Sequence, residues 1–250
     1  MEMDLRDKVV WITGTSRGIG RVLARGFAGL GVTVVGTQLE EDPAFTAELR
    51  KSSPASAVLV QDVRRRGDAS AVADQIAKTH GRLDVLINNA GVDPRMPADE
   101  LRDEQFEDVL ATNLHGSWYS CRAAIPLMKA RGYGKIINVG SITAIVGMSQ
   151  LAHYISSKAG LVGLTRGLAR DLGKFGIRVN CLVLGAIAVE KEVQQGLNTP
   201  EALARLNSLQ SLPGRIEMPD LVPFFAFFAS HLSDPMTGQC LTVDKGWTHS

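Results

Sequence analysis

With 250 residues, 45% hydrophobic and 21% charged, the chain has the balance of a soluble globular protein able to bury a substantial core. A formal net charge of +1 gives no drive toward nucleic acid or an anionic membrane surface, which leaves a small molecule as the expected partner. Cys121, Cys181 and Cys240 form no CxxC pair, so neither a disulfide framework nor a zinc site is indicated; buried structural thiols in a reducing cytoplasm are expected. The apolar stretch Leu221–Ala229 is too short to span a bilayer, and the acidic start runs into a strand rather than a signal peptide.

In chain order, apolar runs alternate with helical patterns. The expected strands are Lys8–Thr13, Val32–Thr37, Ala57–Gln61, Leu83–Asn88, Lys135–Gly140, Arg178–Val183 and Gln239–Val243. The expected helices are Gly18–Leu30, Pro43–Lys51, Asp68–His80, Asp103–Arg131 with a break near Asn113, Ala152–Phe175 and Asp220–Ser230. Val189–Ser211 is polar and helix-prone. Nearly continuous Val/Ile/Leu strands suggest a parallel sheet covered on both faces. With no linker or repeat, one domain over residues 1–250 is expected. It is an α/β doubly wound (Rossmann) sheet of about seven strands, with ligands beyond the carboxyl ends of those strands.

Thr13-Gly14-Thr15-Ser16-Arg17-Gly18-Ile19-Gly20 joins the first strand to the first helix. Glycines there permit a tight turn and close approach of a pyrophosphate to the helix N-terminus, although the spacing is G-x-x-x-G-x-G. The second strand ends in Gly36-Thr37-Gln38-Leu39, without the acid that binds the 2′-hydroxyl in many NAD sites. Arg17 could instead meet a 2′-phosphate, so NADP(H) is favoured and NAD(H) stays possible; Glu40, Glu41 and Asp42 argue the other way. Asp62-Val63 and Asn88-Asn89-Ala90-Gly91 lie at further strand ends. Ser141 is followed thirteen residues later by Tyr154, with Lys158 four beyond. Tyr154 and Lys158 share a helix face. A free tyrosine titrates near ~10, and a neighbouring cation favours its phenolate.

Thr-Gly-x-x-x-Gly-Ile-Gly, Asn-Asn-Ala-Gly, Asn113, Ser141 and Tyr154-x-x-x-Lys158 stand in the order and spacing of the short-chain dehydrogenase/reductases. The chain resembles that family over its whole length, through Thr237-Gly238-Gln239 and Val243-Asp244-x-Gly246. The resemblance implies that Tyr154 is the general acid or base, that Lys158 lowers its pKa and holds the nicotinamide ribose, and that Ser141 hydrogen-bonds the substrate oxygen. It implies that Asn113 holds a helix kink and a relay water. Gly14, Gly18 and Gly20, with Ser16, Arg17 and Ile19 beside them, would cradle the pyrophosphate. Thr37 and Gln38 would lie by the adenosine ribose, Asp62 and Val63 by the adenine, and Asn89 by the adenine-side ribose, with Ala90 and Gly91 among the cofactor-binding residues. No metal takes part, and His80, His115, His231 and His249 lack ligand spacing. A homotetramer is implied.

Two departures stand out. Leu184-Gly185-Ala186-Ile187-Ala188-Val189 replaces the family's Pro-Gly and following threonine. Val189 stands where the hydroxyl is expected, which leaves the Ile187 backbone alone to recognise the nicotinamide amide, with Gly185 also counted among the cofactor-binding residues. Lys245 replaces a common glycine. Substrate choice is expected from Asp93–Ala98, Thr143–Gln150 and a lid over 189–211, with Thr143, Gln150 and Val189 as candidate contacts. In that lid Glu190, Lys191, Glu192, Gln194 and Gln195 favour a hydrophilic substrate. His153 is expected to point to another side of its helix than Tyr154, and Phe224, Phe225, Phe227 and Phe228 to serve as core or subunit contact. The expected reaction interconverts a secondary alcohol, or a sugar hemiacetal, and a carbonyl. The Thr37 strand end and Arg17 most resemble the 3-oxoacyl-carrier-protein reductases, with a sugar or polyol dehydrogenase as the second substrate class. A non-catalytic cofactor-binding scaffold or redox sensor is the alternative from another class.

Overall fold

The computed structural model describes residues 3–190 and 198–249. β1 (Val9–Thr13), β2 (Thr33–Gln38), β3 (Ala57–Val60), β4 (Val85–Asn88), β5 (Gly134–Ser141), β6 (Ile177–Leu184) and β7 (Cys240–Val243) make one sheet in the order 3-2-1-4-5-6-7. All its pairings are parallel. The helices are α1 (Gly18–Gly29), α2 (Pro43–Ser52), α3 (Arg66–His80), α4 (Asp103–Leu110), α5 (Gly116–Arg131), α6 (Thr143–Val146), α7 (Ala152–Leu172), α8 (Pro200–Asn207) and α9 (Val222–Ala229).

The alternation along β1 explains the layers. Val10 and Ile12 enter one core with Leu23, Phe27, Phe225 and Phe228, while Val9 and Trp11 enter the other with Val72, Ile76, Met128 and Leu168. A strand buried on both faces has no polar alternation, which is why these runs read as continuous apolar segments. Of the four phenylalanines of α9, Phe225 and Phe228 are core and Phe224 is exposed. The chain reverses direction of strand order at β1, so the crevice lies between the carboxyl ends of β1 and β4.

The expected break near Asn113 is a π-helical turn over Ala111–His115, joining α4 to α5 without leaving the helical backbone region. Such turns often mark functional positions, because one extra residue re-aims the side chains around it. The short α6 was not foreseen; four residues carry too little periodicity to be read. In the expected lid, α8 begins at Pro200 with Thr199 accepting from the Ala202 N–H (3.2 Å); Lys191, Glu192, Gln194 and Gln195 lie outside the described residues.

Lys245 has an explicit role. Its φ is +58°, in the left-handed region that glycine ordinarily fills. Its carbonyl accepts from Ser211 (3.0 Å) and Leu212 (2.9 Å), and its Nζ donates to the Pro213 carbonyl at 2.7 Å. The lysine thus ties the C-terminal turn to the segment after α8. Lys245→Ala should keep the backbone strain and lose the Nζ bond, costing about 1 kcal/mol in urea unfolding. Lys245→Gly should stay near wild type, since relief of about 1 kcal/mol of left-handed strain offsets that loss. A glycine variant much less stable than the alanine one would contradict this assignment.

Candidate active site

The glycine loop leaves β1 under tight steric constraint. Gly14 has φ +74°, and a Cβ there would lie 2.7 Å from Ala90 Cα. At Gly20 a Cβ would lie 2.1 Å from the Gly14 carbonyl oxygen and 2.5 Å from Asn89 Nδ2. The loop is stapled to the end of β4. Asn89 Nδ2 donates to the carbonyls of Thr13 (2.9 Å) and Gly14 (3.0 Å), and Thr13 Oγ1 accepts from the Asn89 and Ala90 N–H groups, each at 3.1 Å. Asn89 therefore holds the loop itself. The Thr13 hydroxyl was missed by sequence reasoning, although a hydroxyl residue ending β1 is its signal.

α1 starts with Arg17 at its N-cap, with no side-chain cap and no acid in its first turn. Twelve residues of helix therefore present their amide-rich, positive end beside the glycines. Ser16 and Arg17 are exposed. This suits a pyrophosphate, so the residues present fit a dinucleotide cofactor.

The end of β2 differs from expectation. Thr37 is fully buried; its hydroxyl accepts from Trp11 Nε1 (3.2 Å) and donates to Gln61 Oε1 (2.6 Å). Gln38 is also buried and donates to the Glu40 carbonyl at 3.0 Å. Both side chains brace the sheet rather than face the crevice. Asp42 is turned away too. It caps α2 by accepting from the Phe45 N–H (2.8 Å) and pairs with Arg21 at 3.0 Å, which hold its carboxyl below the usual range. Only Glu40 and Glu41 of the acidic run stay exposed.

At the β3 end the Asp62 carboxylate accepts from the Arg64 guanidinium at 2.8–3.2 Å, which lowers its pKa. It is engaged but retains acceptor lone pairs. Val63 is buried and wedged against Gly116, where a Cβ would lie 2.9 Å from Val63 Cβ.

Of the four residues expected to carry chemistry, Tyr154 and Asn113 each lie near Lys158 Nζ, and Ser141 ends β5 two residues beyond the Val139 carbonyl that holds it. Asn113, fully buried in the π turn, accepts from the Val92 N–H (2.8 Å) and donates to the Val92 carbonyl (2.9 Å) and Ser157 Oγ (3.0 Å). Its side chain fixes the loop after β4 to α7. Ser157, one turn on from Tyr154, was missed; it donates to the Tyr154 carbonyl at 2.7 Å. A Cβ on Gly91 would lie 3.3 Å from Asn113 Oδ1 and 3.7 Å from Lys158 Nζ, so the two groups meet at that glycine.

Lys158 is buried, its Nζ donating to the Val139 carbonyl at 2.8 Å and lying 5.6 Å from the Tyr154 ring centroid. Desolvation pulls it from the ordinary lysine value down to about 8. Ser141 ends β5 and is only part-buried; its Oγ accepts from Thr143 Oγ1 (2.9 Å) and the Thr143 N–H (3.3 Å). With its acceptor side occupied, the Ser141 hydroxyl is set to donate outward. Thr143, expected as a substrate contact, is instead buried beneath Ser141. Gln150 is exposed at φ +66°, and its carbonyl accepts from the Met96 N–H at 2.9 Å, tying the loop after β4 to the start of α7.

After β6, Gly185 presses on Asp244, where a Cβ would lie 2.6 Å from its Cα. Ile187 is buried in the core and bridges to Ile216, and its carbonyl accepts from the Val189 N–H at 3.0 Å. Val189 is part-buried against the same core. His153 is fully buried, and burial lowers its pKa.

A doubly wound sheet with a glycine-rich first turn and a Ser–Tyr–Lys–Asn cluster at its carboxyl edge defines a dinucleotide-type oxidoreductase. The comparisons narrow this. A family model described as enoyl-(acyl carrier protein) reductase matches residues 14–248. Among curated relatives, a D-xylose 1-dehydrogenase of Caulobacter vibrioides is 36% identical over 245 residues, 97% of this chain and 96% of that protein. A probable galactose dehydrogenase of Rhizobium meliloti is 34% identical over 246 residues, with the same coverage. The 3-oxoacyl-[acyl-carrier-protein] reductase of Escherichia coli K12 is 30% identical over 250 residues, 98% of each chain. A gluconate 5-dehydrogenase from Burkholderia cenocepacia, solved with NADP and tartrate, superposes with a TM-score of 0.94 at 30% identity, covering 99% of this chain and 98% of that one. The chain belongs to the short-chain dehydrogenase/reductase family, whose members here are oxidoreductases acting on CH–OH groups.

The buried ammonium has a pH signature. A lysine whose folded pKa is depressed favours the unfolded chain when protonated, so its penalty is full below about pH 8 and fades as pH rises toward about 10.5. Lys158→Met should therefore be more stable than wild type at pH 7, by up to roughly 3 kcal/mol. The difference should close by pH 10.5, as read from denaturant unfolding. A gap that is constant across that window would contradict the desolvated charge.

Proposed function

We propose that this chain is an NAD(P)(H)-dependent oxidoreductase that interconverts a secondary alcohol, or a sugar hemiacetal, and a carbonyl. The observation that supports the reading is the placement of Lys158 between Tyr154 and Asn113, with its Nζ seated on the Val139 carbonyl two residues before Ser141. A nicotinamide dinucleotide held along Gly14–Gly20, Asn89–Gly91 and Lys158 supplies the hydride. Ser141 donates to the substrate oxygen and stabilises charge as it develops there. Tyr154 gives that oxygen a proton in reduction and removes one in oxidation, and the Lys158 ammonium favours its phenolate. Asn113 and Ser157 keep α7 and the Val92 loop in place around them.

NADP(H) is the favoured cofactor. No carboxylate side chain ends β2, Asp42 is committed to Arg21 and the α2 N-terminus, and Arg17 is exposed beside the glycines. We assign the substrate to the sugars and polyols. The sugar dehydrogenases among the relatives support this, as does Arg95, whose exposed guanidinium reaches Met148 Sδ at 3.8 Å across the two loops flanking the site. A 3-oxoacyl thioester is the second reading, favoured by the exposed Ile145 and Val146 on α6. A lid over 189–211 and a homotetramer belong to the same proposal; Gly163 and Gly167 on α7, with nothing within 4 Å of an added Cβ, offer a flat face for a second copy. Free cysteines agree with a reducing cytoplasm. Among the described residues no helix is long and apolar enough to cross a membrane.

Aldoses, polyols and 3-oxoacyl thioesters should be assayed by nicotinamide absorbance, with wild type beside Tyr154→Phe. The variant should lose at least ~10²-fold in kcat while still binding cofactor. Unchanged turnover would exclude Tyr154 as the acid–base group. Cofactor binding without turnover of any substrate in wild type would favour a scaffold or sensor. For the cofactor, Arg17→Ala should weaken NADPH binding about tenfold and leave NADH nearly unaffected, a difference of about 1.4 kcal/mol. Equal losses for both would remove Arg17 as the reader of the 2′-phosphate.

A further inference from the structure

Cys181 and Cys240 face each other in register across β6 and β7. Parallel neighbours lie about 4.8 Å apart, inside the Cα window of about 4.4–6.8 Å that disulfides span. Both side chains leave the same face of the sheet and pack with Ile142, Val183 and Trp247. The two thiols are close enough for each to shift the other's pKa. Cys181 is buried, whereas Cys240 is part-exposed on the edge strand.

The third neighbour of this pair is the catalytic cluster. The Cys181 sulfur sits so close to Gly140 that a Cβ there would lie 2.7 Å from it. Gly140 lies between Val139, whose carbonyl seats Lys158, and Ser141.

We propose that Cys181 and Cys240 form a reversible oxidation site, which a peroxide converts into a cross-strand disulfide that lowers turnover by disturbing the seat of Lys158. The division of labour follows from exposure: Cys240, part-exposed on the edge strand, is the thiol that solvent and peroxide reach, and its neighbour lowers its pKa. Burial and the adjacent thiol push Cys181 up and keep it a thiol. The Cys240 thiolate attacks the peroxide, breaking the O–O bond and giving Cys240 sulfenic acid and, after protonation, an alcohol or water. The Cys181 sulfur then attacks the sulfenic sulfur and expels hydroxide, which takes the Cys181 proton and leaves as water. Both sulfurs are thereby oxidised and the peroxide is reduced. Closing the bond brings the sulfurs to about 2.05 Å. This draws Cys181 from the notch beside Gly140 toward β7 and loosens the strand segment that holds Lys158. An excess of small thiol reverses the step by exchange.

The test uses the full chain treated with a small excess of hydrogen peroxide, then alkylated and mapped by mass spectrometry. The expected result is a peptide cross-linking Cys181 to Cys240, a mass loss of about 2 Da that dithiothreitol reverses, and Cys121 unchanged. The kcat of the oxidised protein should fall about tenfold, and Cys240→Ser should keep its kcat through the same treatment. The mapping needs no substrate, so it stands or falls apart from the proposed function. Alkylation of both Cys181 and Cys240 after treatment would overturn the proposal, as would Cys240 sulfinic acid beside a free Cys181 thiol. A disulfide with unchanged kcat, or an equal loss in Cys240→Ser, would overturn the link to Lys158.

Discussion

A single buried ammonium organises the carboxyl edge of this sheet. Lys158 leaves water on α7 and donates a hydrogen bond to the carbonyl of Val139 on β5. Removing a cation from water costs several kcal/mol in a folded protein, so the surrounding fold must hold it there. Both sides of its seat are built accordingly. β5 pairs with β6 along its whole length and with β4 over Lys135–Asn138, and α7 packs on β5 and β6. Tyr154, four residues earlier on the same helix face, has its ring centroid 5.6 Å from that ammonium.

The other constraints serve that placement. The glycine loop cannot carry side chains at Gly14 or Gly20, because Ala90, the Gly14 carbonyl and Asn89 occupy the space. Asn89 thus ties the glycine loop to the end of β4, beside the crevice that the reversal of strand order opens. The π turn performs a matching task on the other flank. It turns Asn113 inward, where one amide binds the loop after β4 and α7 together. A regular α-helix would present a different residue to Val92.

The fold was almost fully legible because burial on both faces writes itself into the strands; Val9–Thr13 and Gly134–Ser141 carry hardly a polar side chain that faces solvent. The candidate cluster could be picked out in the sequence because Tyr154 and Lys158 stand one helical turn apart and Ser141 ends a strand. The end of β2 was misjudged for a physical reason. Strand register decides which way Thr37 points, and its hydroxyl answers Trp11 and Gln61, far apart in sequence. Thr143 was likewise read as a contact when it supports Ser141 from beneath. Lys245 could not be read, since its meaning lies in a positive φ and in a carbonyl at Pro213. The thiol pair was hidden because Cys181 and Cys240 are brought together only by the pairing of the last two strands.

The central claim is that Lys158 is a desolvated cation poised near neutrality, and a direct titration addresses it. Lysine labelled at Cε and Nζ can be followed by NMR across pH, with Lys158→Met identifying the signal. The account predicts a lysine titrating near pH 8, well below the bulk lysines, and lost in the variant. A Lys158 signal moving with the others near ~10.4 would contradict it.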